Sequence, residues 1–155
     1  MKRLGRRGLR AVLTGMHRLL RLYWRVRRPR SFGAHSVALT PQGAIILVKL
    51  RYAGGWRLPG GGRKAREDPR EAALRELREE IGMTSHGAVR LAAELEETVS
   101  FKQDLASIFI VRDVRYRPRW SFEVEQVREY RPDSLPQDLA PAARRWLQKV
   151  GPALS

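Results

Sequence analysis

The chain has 155 residues, 43% of them hydrophobic and 30% charged, with a formal net charge of +15. That length and balance fit one globular domain with a proper core. The absence of cysteine excludes disulfides, zinc-thiolate centres and cysteine nucleophiles.

The charge is unevenly placed. Residues 1–30 hold eleven Lys and Arg and no acid, which leaves only +4 for residues 31–155. A basic arm on a nearly balanced domain calls for an anionic partner: a phosphate-bearing substrate, nucleic acid or lipid headgroups. Leu9, Val12, Leu13, Met16, Leu20 and Tyr23 recur at helical spacing, with Arg10, His17, Arg18, Arg21 and Arg25 mostly between them. The pattern predicts an N-terminal amphipathic basic helix that ends before Pro29. Its apolar stripe is expected to pack on the domain or on a second subunit of a homodimer. The other reading is peripheral contact with an anionic membrane surface. No apolar run reaches the length of a membrane span, and the expected location is cytoplasmic. The Arg-rich, acid-free texture also overlaps with organelle transit peptides.

From residue 34 the texture changes. "HSVALT" and "AIILVKLR" read as strands around the turn signal "PQG". "YAGGWRLPGGG" reads as a loop with a short extended centre. "AVRLAAELEETV" and "LASIFIVRDV" predict two strands joined through "SFKQD". "FEVEQVREY" reads as a further strand, "RPDSLPQDL" as a loop and "APAARRWLQKV" as a closing helix. Strands around one well-marked helix predict a mixed α/β domain. His17, His35 and His86 are scattered and show no metal-ligand spacing.

The marked helix carries the chemistry. Asp68 suits its N-cap, Pro69 its first position, Glu71 the capping-box acid, and Gly82 its stop. Leu74, Leu77 and Ile81 form an apolar stripe. Glu76, Glu79 and Glu80 fall within reach of one another on another side, and Arg75 lies four residues before Glu79, where it can pair with it. A solvated, salt-bridged surface is the ordinary meaning of such a charge run. Here three carboxylates share one Arg, and a glycine-rich turn whose backbone can approach a ligand closely comes just before them. Oxygen ligands select a hard cation, Mg²⁺ or Mn²⁺. No Lys-Ser/Thr follows the glycines, so a P-loop is rejected.

Gly61, Glu67, Arg75, Glu76, Leu77, Glu79, Glu80, Gly82 and Met83 stand at every fixed position of the Nudix hydrolase signature. Flanked by "GWRLPGG" and "YRPDSLPQDLAP", the chain resembles that family over about residues 34–150. The resemblance implies an α/β/α sandwich with a mixed β-sheet in residues 31–155, with residues 1–30 as an arm outside it. It implies metal-binding roles for Glu76, Glu79 and Glu80, with Gly61 beside them, an orienting role for Arg75, and a supporting one for Glu67. The reaction implied is metal-dependent cleavage of a nucleoside diphosphate linked to another moiety: a nucleotide sugar, a dinucleotide or a nucleoside triphosphate. Many members carry an acid where this chain has the basic run Arg63, Lys64, Ala65, Arg66. Loop solvation and extra phosphate binding account for that run equally well.

Two other functional classes compete. One is a Nudix-fold module that binds nucleotide or RNA without cleaving it, against which the intact glutamates argue. The other is an RNA 5′-end pyrophosphohydrolase that uses the basic arm. Trp56, Phe101 and Trp120 are candidates for stacking on a base, although core or loop packing is the simpler account of each. In the family a further metal acid often comes from a late loop. Glu123, Glu125 and Glu129 are available, and Glu123 is the choice. Val124 and Val127 cannot both face the core unless a bulge lies between them.

Overall fold

The computed structural model describes residues 30–99 and 102–154, with side chains described for 32–96 and 105–154. The arm helix expected before Pro29, and Phe101, lie outside the described residues. Two compact units divide the chain, 1–31 with 96–105 and 32–95 with 106–155. The described part of the first consists of the start of one strand and the adjoining ends of two others. Both cores and the candidate site belong to the second.

The elements in chain order are β1 (Arg30–Ala38), β2 (Ile45–Leu50), β3 (Trp56–Arg57), β4 (Gly60–Gly62), α1 (Pro69–Ile81), β5 (Met83–Ser85), β6 (Val89–Val99), β7 (Lys102–Val111), β8 (Arg115–Tyr116), β9 (Val124–Tyr130) and α2 (Pro141–Val150), followed by a 3₁₀ turn (Gly151–Ala153). The strands form sheets of order β4-β1-β7-β6, β3-β2-β9 and β5-β8.

The layering follows from alternation along the central strands. Successive side chains on a strand point to opposite faces. On β2, Ile45 and Leu47 join one apolar cluster while Ile46 and Val48 join another; on β7, Ile108 and Ile110 part from Phe109 and Val111 in the same way. The near-continuous apolar runs of these strands are thus what burial on both faces requires. Trp146, Leu147 and Val150 of α2 cover the first face, and Leu74, Leu77 and Ile81 of α1 cover the second. The result is the α/β/α sandwich expected from the sequence. Among the described residues, no helix is long and apolar enough to cross a membrane.

Three departures from the expected elements bear on the site. The glycine-rich turn is partly a strand: β4 runs antiparallel to β1, pairing Gly33 with Gly62, Ala34 with Gly61 and His35 with Gly60. Glycines at 60–62 allow this close backbone approach, which single-sequence patterns score as turn. Second, β5 and β8 pair across the end of α1, two short strands with no alternation to reveal them. Third, a bulge is present on β9. Lys49 of β2 faces Gln126 while Leu50 faces Val124, so Glu125 is the extra residue. Val124 and Val127 can therefore both turn towards the α1 core.

Candidate active site

The geometry begins with how α1 is held. The Asp68 carboxylate accepts hydrogen bonds from the amides of Arg70 (2.9 Å) and Glu71 (3.3 Å), with Pro69 in the first turn. Glu71 does not complete the capping box but pairs with Arg70 at 3.4 Å. At the other end Gly82 takes φ 71°, ψ 41°, and its amide donates to the Leu77 carbonyl. A Cβ at Gly82 would run into the Arg117 carbonyl oxygen. Both ends of the helix are thus pinned, and its acids point where the helix directs them.

Arg75 is the hub. Its Nε donates to Glu67 Oε1 at 2.8 Å, and its Nη2 to Glu67 Oε2 and the Gly62 carbonyl, both at 3.1 Å. Its Nη1 donates to Glu76 Oε1 at 2.6 Å and to Glu79 Oε2 at 3.1 Å. The i,i+4 pair expected from spacing is present, but the two-point pairing with Glu67 is the larger commitment of the guanidinium, and charge-assisted bidentate pairs are the strong ones. Those hydrogen bonds, with one from the Lys64 amide, hold the Glu67 carboxyl down at about 2.

The three helical glutamates differ sharply. Glu79 is largely exposed, with 57% of its side chain accessible, against 13% for Glu76. Glu80, which spacing sets off the apolar stripe, is buried at 9% exposure. Its Oε2 accepts the Gly60 amide at 2.8 Å. Burial, followed by the charges of Glu76, Glu123 and Glu79, pushes its carboxyl up to about 8 against the pull of that amide. Burial also raises Glu76, opposed by Arg75. Gly60 has φ +146°, and a Cβ there would strike the Ala34 carbonyl oxygen; a Cβ on Gly61 would meet the Glu76 carboxylate at 3.0 Å. The two glycines let the β4 backbone lie directly against the acids.

Glu123 acts electrostatically on both Glu76 and Glu80, although it is more than 40 residues away in sequence. Its backbone is fixed by the Arg51 amide donating to its carbonyl and by its own amide donating to Ser121 Oγ. Glu125 occupies the bulge, and Glu129 accepts from the Tyr116 hydroxyl at 3.0 Å. Among the described residues no three His, Cys, Asp or Glu side chains converge as a ready-made ligand set. Glu76 and Glu79 are turned onto Arg75 instead.

The other candidate residues divide. Lys64 and Arg66 are exposed in the loop before α1, and the Arg63 guanidinium lies 4.8 Å from the Phe32 ring centroid. Trp56 follows the core-packing account rather than the stacking one. At 4% exposure it belongs to the core on the α2 side, edge-on to Tyr130 at 5.3 Å, so it has no open face for a base. Trp120 is the reverse, 71% exposed where loop packing was the simpler expectation. Sequence reasoning also missed Tyr52 and Arg57, whose loop carries no spacing signal. Although its ring is 71% exposed, partial burial of the Tyr52 phenol, then Glu123 and Glu80, raise its pKa. Arg57 lines a cavity of about 90 Å³ with Glu80, Gly60, His35 and Trp146, and its buried Nε has no hydrogen-bond partner.

A model of the NUDIX domain matches residues 29–150. The chain belongs to the NUDIX family. The matched span takes in Glu67, Arg75, Glu76, Glu79, Glu80 and Glu123. Over 91 residues the chain is 46% identical to an RNA pyrophosphohydrolase from Acidiphilium cryptum (strain JF-5), covering 54% of each protein, so it spans about half the length of that relative. A MutT NUDIX hydrolase from Burkholderia pseudomallei superposes with a TM-score of 0.68 at 26% identity, over 78% of this chain and 98% of that one. A MutT protein from Methanosarcina mazei Go1 gives 0.69 at 22% identity, over 81% and 96%. Likeness at the second level of identity speaks to the fold alone.

Proposed function

We propose that this Nudix protein is a divalent-metal-dependent pyrophosphohydrolase. Its substrate would be a nucleoside 5′-diphosphate linked to a further group, cleaved by water attack on phosphorus. The observation that carries this reading is Glu76 and Glu79 drawn onto one Arg that Glu67 already shares, with Glu80 buried next to them on α1 and Glu123 near enough to act electrostatically on Glu76 and Glu80. Four acids sharing one Arg leave the site short of positive charge once all of them are ionised. Oxygen-only donors suit Mg²⁺ or Mn²⁺. Glu76, Glu79, Glu80 and Glu123, with the Gly61 backbone beside them, would hold the ion, and the soft terminal torsions of glutamate let the side chains turn from Arg75 to do so. When bound, the metal neutralises the diphosphate and lowers the pKa of a bound water.

The protein's own groups divide the remaining work. Arg75, held by Glu67, keeps Glu76 and Glu79 gathered at the site until they turn to the ion. The Gly60 amide fixes Glu80. Arg57, with its buried unpartnered Nε beside Glu80, is placed to hold a phosphate of the bound substrate, and the exposed Lys64 and Arg66 add favourable field at the loop before α1. A carboxylate of the cluster serves as the base that takes the proton from the attacking water. The arm of residues 1–30 is read as an anion-seeking extension of the domain.

A second substrate reading has a specific observation behind it. The similarity to an RNA pyrophosphohydrolase favours the 5′ end of RNA as the diphosphate-bearing group. The test is a product-release assay with and without Mg²⁺ or Mn²⁺. Its panel holds nucleotide sugars, dinucleotides, nucleoside triphosphates and 5′-triphosphate RNA. Metal-dependent release from at least one is expected; no turnover on any, with tight nucleotide binding, would leave a binding module instead.

A further inference from the structure

Between β8 and β9 runs the loop Arg117–Phe122, and it displays what a globular surface ordinarily hides. Trp120 is 71% exposed and Phe122 82% exposed. Their rings meet edge-on, with centroids 4.3 Å apart and planes at 75°. Two large aromatics that pack on each other and leave their outer faces in water are costly to expose without a use. Arg115, Arg117 and Arg119 alternate just before them, all exposed.

The loop is anchored at both ends. The Arg117 amide donates to the Gly82 carbonyl at 2.9 Å, at the C-terminus of α1. On the other side Arg51 Nε donates to the Ser121 carbonyl at 3.2 Å, and Ser121 Oγ accepts the amides of Glu123 and Val124 at 3.1 Å. Held in this way, the aromatic pair stands immediately before Glu123, the residue whose charge reaches Glu76 and Glu80.

We propose that Trp120 and Phe122 form a base-stacking platform, flanked by Arg115, Arg117 and Arg119, for a single-stranded polynucleotide whose 5′ phosphate chain enters the acid site. The proposal rests on the pyrophosphohydrolase reading and narrows its substrate from mononucleotides to strands. Base–aromatic stacking is tolerant of sequence because every base has a π-face, and guanidinium groups between aromatics grip the backbone. Charge selects the occupant: the arginines repel a cationic partner, while a strand brings one phosphate per nucleotide. Anionic lipid also satisfies aromatics and arginines, but it offers no phosphoanhydride for the proposed reaction.

The test measures binding of full-length protein to a 5′-monophosphate single-stranded ten-nucleotide RNA, and to its DNA counterpart, by fluorescence anisotropy. Trp120→Ala, Phe122→Ala and Trp120→Phe are compared with wild type, and thermal melting checks their folding. Each alanine variant is expected to lose about tenfold or more in affinity, with Trp120→Phe retaining most of it. On 5′-triphosphate strands the same loss appears in KM, with kcat at saturation held. Equal affinity in wild type and alanine variants overturns the platform, as does the absence of strand binding by wild type. Loss of binding to phosphatidylserine vesicles with strand affinity intact overturns it in favour of a membrane contact. Because the monophosphate strand is not a substrate, failure of the hydrolase reading and failure of the platform show up in different assays.

Discussion

Glu79 and Glu80 are neighbours on α1, yet one is open to solvent and the other lies under the β4 backbone with the Gly60 amide on its oxygen. A Gln at either position keeps shape and hydrogen-bond acceptance while removing the charge. Both substitutions are therefore expected to leave far-UV circular dichroism unchanged and to lower turnover about a hundredfold or more on a verified substrate. Addition of Mg²⁺ should raise the melting temperature of wild type and raise it less in either variant; an undiminished rise would remove that residue from the ligand set. Glu67 provides a prediction in pH. Its carboxyl sits at about 2 in the fold against an ordinary 4.5. A depressed pKa gives stability that is present above 4.5 and is lost as pH falls from 4.5 towards 2. Melting temperature between pH 6 and 3 should accordingly fall more steeply in wild type than in Glu67→Gln, and parallel slopes would show that the Arg75 pairing contributes nothing to the fold.

At the scale of elements, the two ends of α1 and the bulge of β9 set the positions of the acids. Gly82 combines a left-handed conformation with backbone contact against Arg117. Gly82→Ala should cost about 2 kcal/mol or more, read from the denaturant midpoint. It should also disturb the β8–β9 loop, whose anchor is the Gly82 carbonyl. The bulge separates Glu123 from Glu125, which pattern alone could not do. Glu123→Gln is expected to raise the Mg²⁺ concentration needed for half-maximal activity, with Glu125→Gln close to wild type. The opposite result would transfer the late-acid role to Glu125.

At the scale of the whole molecule the charge of +15 is the dominant fact, and most of it lies in residues 1–30. Each cation that replaces a counterion on a polyanion steepens the fall of affinity with salt. A chain lacking residues 1–28 should show a flatter dependence of log affinity on log salt for a single-stranded RNA, measured over about 50–200 mM. An unchanged slope would confine the grip to the remaining domain, where Arg115, Arg117 and Arg119 are the exposed candidates. The two experiments would thus separate an ionic contribution of the arm from a stacking contribution of the aromatic loop.

The sequence by itself determined the parts whose information is local. Asp68, Pro69 and Gly82 mark α1 because caps act within a turn, and the glutamates at i, i+3 and i+4 share a side because 3.6 residues make a turn. The apolar runs of β2 and β7 already required two buried faces. What only the tertiary structure decided is non-local. Glu80 is buried because β4 crosses over it, which nothing in the spacing of α1 encodes. Glu67 meets Arg75 because the loop folds back onto the helix. Trp56 goes inside and Trp120 stays outside, though both sit in loop-like text, because α2 and Tyr130 cover the first, while among the described residues the ring contact of the second is with Phe122, itself exposed. The bulge at Glu125 depends on how β9 registers against β2, since pairing across strands depends on the partner as much as on the strand. Glu123 comes near enough to act electrostatically on Glu76 and Glu80 although more than 40 residues separate them along the chain, a closeness that only packing creates.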